Sequence, residues 1–137
     1  MSHRSTAAGL ACLAAFSLAG PAAFAQQNRV TPAFKEEIAN IPGKSLTAVL
    51  VEYAPGGKTP SHHHAKSAFI SAYVISGAVR SQVDDGPVQT FKAGEHFTEK
   101  PGAHHVVSEN ASETEPAKIL AIFVVDSNET ALTMMDK

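Results

Sequence analysis

The stretch Gly56-Gly57-Lys58-Thr59-Pro60-Ser61-His62-His63-His64 places three of the chain's seven histidines side by side. His104 and His105 form a second pair further along. Between the clusters lie alternating apolar residues and turn signals, the pattern of short β-strands. In an extended strand, side chains at i and i+2 share a face and i+1 takes the other. His62 and His64 are therefore expected on one face and His63 on the opposite one. Two imidazoles on one face, joined by a third from a neighbouring strand, make a cradle for a transition metal.

Working outward, Ser45 to Ala54 reads as a strand apolar on both faces, closed by the Pro55-Gly56-Gly57 turn. Further strands are expected at Ala68 to Ile75, Ala78 to Val83, Val88 to Lys92, 96–99 and 104–108. Gly77, Asp84-Asp85-Gly86-Pro87, Ala93-Gly94 and Pro101-Gly102 punctuate them. Ala117 to Val125 is too short for a membrane span and too β-branched for a comfortable helix, so it reads as a core strand. Short strands with frequent turns and no long helical period indicate an all-β sandwich or barrel. Residues 26–44 form a lead-in, anchored by Phe34 and Ile38, as a short amphipathic turn or as a strand on the sheet edge. Residues 45–126 form the barrel, and 127–137 a frayed tail or short helical turn.

Residues 1–25 carry the marks of a signal peptide: a mildly basic start, an apolar run, Gly20-Pro21, and Ala23-Phe24-Ala25 before Gln26. The expectation is a secreted or periplasmic protein, free of the membrane once cleaved. Cys12, the only cysteine, leaves with that segment. This excludes a disulfide, a cysteine nucleophile and a thiolate ligand from the remaining domain. The formal net charge is −2, basic residues are scattered singly, and there is no tryptophan. A nucleic-acid partner is not expected.

The two histidine clusters resemble the paired motifs of the cupin superfamily. Gly56, His62 and His64 match the first motif, G-x5-H-x-H, and Gly94, Gly102 and His105 fall at the spacing of the second. The second motif's proline is displaced to Pro101, and Asn110 comes one residue late. The resemblance implies a jelly-roll barrel, a double-stranded β-helix. It also implies a divalent transition metal (Fe, Mn, Zn, Cu or Ni) held by His62, His64 and His105. A one-residue register change would bring His104 in place of His105.

The family's first motif continues to a glutamate ligand and then Gly77, but no acidic residue lies between Ala65 and Ser76. Counting back from Gly77 puts Ile70 in its place; counting forward from His64 puts Ala68 or Phe69 there. Glu95, His96 and Glu99 are candidates to replace it. His96 and Glu99, three apart, cannot both face inward in a regular strand. A site of three neutral imidazoles alone would welcome an anionic ligand. Three-histidine cupins resemble dioxygenases that bind an enolate or carboxylate beside O2, and also binding modules without turnover. A barrel that has lost its metal is the third reading. The expected partner is a small-molecule ligand or substrate, and a homodimer is left open. Tyr53, Phe69, Tyr73, Phe97 and Phe123 are candidates for the barrel lining or its core, and the hydroxyls of Ser71 and Tyr73 for contact with a substrate.

Overall fold

The computed structural model describes residues 28–137. Residues 1–25, expected from the sequence to be a signal peptide, lie outside the described residues. The described residues fold into eleven strands with no helix among them. They are β1 Arg29–Glu37, β2 Lys44–Tyr53, β3 Lys58–Thr59, β4 His62–His64, β5 Phe69–Ser76 and β6 Ala78–Val83. β7 Gln89–Lys92, β8 His96–Glu99, β9 His104–Asn110, β10 Ala117–Asp126 and β11 Thr133–Met135 complete the set. One sheet runs β1-β2-β10-β5-β8; the other runs β11-β4-β9-β6-β7, with β3 beside β9. All pairings are antiparallel.

Period-two alternation decides what each strand buries. In β5, Ile70, Ala72 and Val74 are buried while Phe69, Tyr73 and Ile75 are exposed. Phe69 and Tyr73 therefore belong to the outer surface, not to the lining expected of them, and Tyr73 offers no hydroxyl to the interior. In β10, Ala117, Ile119, Phe123 and Val125 point inward. Each large aliphatic or aromatic side chain buried here contributes roughly 1.5–3 kcal/mol. The buried apolar residues form two clusters. One, around Tyr53, Val74, Val79, Phe97 and Ile119, fills one part of the barrel. The other is built on Ala65, Ile70, Phe123 and Val125.

Gly77, between β5 and β6, has φ of +71°, and a Cβ there would stand 2.5 Å from the Pro116 carbonyl oxygen. Both the turn and the close passage of the chain before β10 require a glycine. The lead-in is the edge strand β1 along β2, interrupted by an irregularity between Pro32 and Phe34, as an edge strand tolerates. Phe34 is 43% exposed, so it does not anchor the segment as expected. The tail expectation is also corrected. Residues 133–135 pair with β4, with Thr133 opposite His64 and Met135 opposite His62. Three residues are too few to show a period in sequence, and the pairing is made with a strand far away in the chain. The sheets thus extend beyond 45–126 at both ends.

Candidate metal centre

β4 presents its three histidines as alternation requires: His62 and His64 are buried and His63 is exposed. Its neighbour β9 places His105 opposite His62 and His104 opposite His63. This register settles which of the pair enters the barrel. His105 is 4% exposed and joins His62 and His64, while His104 lies on the outer face with His63. Potential ligand atoms of His62, His64 and His105 all lie within 4.8 Å of one another.

The carboxylate that the first motif lacks arrives from another strand. β8 runs beside β5 with Glu99 directly opposite Ile70, the residue at the motif's glutamate position counted back from Gly77. Glu99 is 2% exposed. Its Oε2 stands 3.1 Å from His64 Nε2, and its Oε1 stands 3.3 Å from His105 Nδ1. His96 is exposed, and Glu95 turns outward to accept the Lys92 backbone N–H at 2.6 Å. The motif position itself holds Ile70, and of the three replacement candidates only Glu99 points inward, so the barrel interior holds three imidazoles and one carboxylate.

Hydrogen bonds on the far sides of the rings fix what they offer inward. His62 Nδ1–H donates to the Pro60 carbonyl at 2.8 Å, and His64 Nδ1–H to the Leu132 carbonyl at 3.1 Å. Each neutral ring then carries its proton on Nδ1 and has only a lone pair on Nε2. These two Nε2 atoms face each other at 3.2 Å. Glu99 Oε2 is buried without a hydrogen-bond partner although His64 Nε2 is close, and in the Nδ1–H tautomer of a neutral ring that nitrogen has no proton to give. Acceptors converging in a buried space repel one another unless a cation sits among them. His105 Nε2 is held by the Ser81 hydroxyl at 2.9 Å, leaving Nδ1 toward Glu99. Outer-side hydrogen bonds of this kind orient metal-binding histidines.

Burial favours the neutral form of His62 and His105. It pushes the His105 pKa down to about 4, against the opposing pull of the Glu99 charge. Burial also lowers His62, partly offset by its bond to Pro60. Neutral imidazoles are the form a metal needs. The donor set suits a divalent transition ion on all these grounds.

The cluster opens on a cavity of about 320 Å³ whose apolar walls include Val49, Val51, Ile70, Phe97, Ile119 and Phe123. Phe97 and Phe123 thus do line it, each edge-on to a site histidine. Tyr53 also lines it, with its hydroxyl 2.6 Å from Ser108 and 3.0 Å from Thr59. Burial raises the Tyr53 pKa, so the hydroxyl keeps its proton. Among the described residues no lysine or arginine borders the cavity. Sequence reasoning missed Ser81, Leu132 and Thr133 as supports of the site. Ser81 carries no local signal, and the other two belong to a segment whose strand character was not legible.

Asn110, displaced by one residue from its motif position, is 2% exposed and plays a structural part. Its amide donates to the carbonyls of Ala54 and Glu115 and accepts from the Ser112 N–H.

Comparison with known proteins agrees with this architecture. A double-stranded β-helix protein from Klebsiella pneumoniae is similar at 22% identity and a TM-score of 0.61, over 79% of this chain and 85% of its own. The Cnp3 cupin domain of Schizosaccharomyces pombe is similar at 21% identity and a TM-score of 0.60, over 78% and 67%. A recombinant oxalate oxidase in complex with glycolate is similar at 22% identity and a TM-score of 0.60, over 79% and 54%. At these identities the likeness establishes the fold alone. No curated protein matches the sequence. The family model of the cupin domain (Cupin_2) matches residues 49–123, more than half of the chain, and its span runs through both histidine clusters and Glu99. With the two-sheet barrel and the inward histidines beside it, that match establishes that the chain belongs to the cupin family.

Proposed function

We propose that this cupin is an exported metalloprotein whose inner cluster holds one divalent transition metal through His62, His64, His105 and Glu99. We further infer that it acts, in the manner of an oxygenase, on a small and largely apolar organic molecule. One observation carries the reading: unprotonated Nε2 atoms and an unpartnered carboxylate oxygen converge in a buried space. The export reading rests on the leader-like segment at 1–25.

A bound metal would supply Lewis acidity and, if redox-active, one-electron chemistry toward O2. The chain's own residues set what may approach it. Glu99 offsets one of the two positive charges of a divalent ion, and the cavity adds no cationic side chain. A small dianion therefore finds less compensation here than a site of imidazoles alone would give. The apolar walls favour a molecule with a hydrocarbon or aromatic body and one polar head, such as an enolate or a single carboxylate. A cavity of about 320 Å³ limits it to a small one. Tyr53, kept protonated, can donate a hydrogen bond to that head or hold it against the Ser108 hydroxyl.

Elemental analysis of untagged protein, followed by O2-uptake measurements on small enolisable and aromatic acids, tests the reading. Iron, manganese or copper with substrate-dependent O2 uptake is the expected result. Zinc without O2 uptake would replace it with a hydrolytic or binding role. Protein without metal would leave the barrel as a binding module.

A further inference from the structure

The outer face of the same two strands carries a second constellation. His63 and His104 stand opposite each other across β4 and β9 and stack with ring centroids 4.1 Å apart and planes 4° from parallel. The carboxylate of Asp136, just beyond β11, spans both: Oδ1 lies 2.9 Å from His63 Nδ1, and Oδ2 lies 2.7 Å from His104 Nε2. Ser61 Oγ closes the group, 2.8 Å from His104 Nε2 and 2.5 Å from Asp136 Oδ2. Among the described residues no lysine or arginine pairs with Asp136, so its ionic partners are these two imidazoles. One ligand atom from each of the three residues fits within 4.8 Å of the others. Met134 stands across from His63 on β11 and is also exposed.

We propose that His63, His104 and Asp136 form a second, solvent-facing site for a late first-row divalent cation, such as Zn(II), that ties the C-terminal strand to the barrel. The reasons are geometric. Three donors of the types such ions prefer come from three adjacent strands or their ends, and the β4–β9 register holds the two imidazoles side by side. Bonds of about 2.0–2.1 Å in a tetrahedron set neighbouring ligand atoms roughly 3.4 Å apart. The carboxylate contacts therefore need to open by about half an ångström, within the reach of an Asp side-chain rotation. The remaining position faces water. The ion would bridge residue 136 to β4 and β9. This matters for the inner cavity because Thr133 and Met135 form part of its wall.

The test is a Zn(II) titration of metal-free protein by calorimetry, read as stoichiometry. The full chain should bind about two equivalents, and the His63→Ala/His104→Ala variant about one. Asp136→Asn, which keeps the side chain's size but removes its charge and one of its two acceptor oxygens, should weaken the outer equivalent and leave the other. Both outer histidines are solvent-accessible, so circular dichroism should show both variants folded as the parent. Failure of the inner site is read separately: the full chain would then bind one equivalent, sensitive to His63→Ala/His104→Ala but not to Glu99→Gln. A single equivalent unaffected by the outer variants would overturn the proposal. So would loss of both equivalents together, from a chain that binds two, on changing the outer pair, since the histidines would then act as one chelating loop.

Discussion

The two faces of the β4–β9 pair bear nearly the same residues and differ in almost everything else. Inside, His62, His64 and His105 sit at 4–5% exposure with their outer nitrogens tied to fixed partners. Outside, His63 and His104 meet a carboxylate from a chain end in contact with water. The inner rings are buried, and burial lowers the pKa of His62 and His105, so a metal meets little competition from protons at those two. The outer rings already have a hydrogen-bonded counter-ion that a metal must displace in part. The same imidazole chemistry thus gives a strong site on one face and a labile one on the other, and a residue's parity along the strand decides which.

The sharpest way to break this contrast is to remove an inner ligand. His64→Ala should abolish binding at the inner centre while the barrel stays folded, because the two apolar clusters do not depend on the metal. Metal content and circular dichroism together check this. Next in size is Ser81→Ala, which frees His105 Nε2 without touching any donor. Loss of such an orienting partner typically lowers metal affinity by about 10–100-fold, measurable by chelator competition.

Acid should separate the faces too. The native state holds His105 neutral to about pH 4, whereas an unfolded histidine takes its proton near 6.5. Between those values the unfolded chain binds more protons, so metal-free protein should lose stability as pH falls from about 6.5 to 4 and change little from this source above that range. Denaturant midpoints across this window check the slope, and His105→Asn should flatten it. The smallest effect is expected from His63→Ala, which should leave inner-site affinity unaltered because it points away from the barrel. Equal losses from His63→Ala and His64→Ala would dissolve the distinction between the faces.

Much of this was legible in the sequence because strands advertise themselves locally. The turn at Gly77, the alternation in Phe69–Ser76 and the apolar run before Asp126 each follow from neighbours in the chain. Parity alone put His62 and His64 together and His63 apart. What parity cannot give is which of two faces is inward, or which strand lies beside which. Glu99 remained one of three candidates with Glu95 and His96, since only the β5–β8 register brings it beside Ile70. Phe69 and Tyr73 look like core residues by type and are surface residues by phase. β11 was invisible for the same reason that it matters: its three residues are defined by pairing with β4, not by any pattern of their own.

The inner centre depends on Glu99 restoring from β8 the carboxylate that the first motif lacks. Anomalous diffraction at the metal absorption edge, from crystals of untagged protein at neutral pH, tests this most directly. The expected result is a peak inside the barrel bonded to His62, His64, His105 and a Glu99 oxygen, at about 2.0–2.2 Å if the ion is zinc. A peak whose ligands exclude Glu99, or an inner cluster with no anomalous density after metal loading, would contradict it.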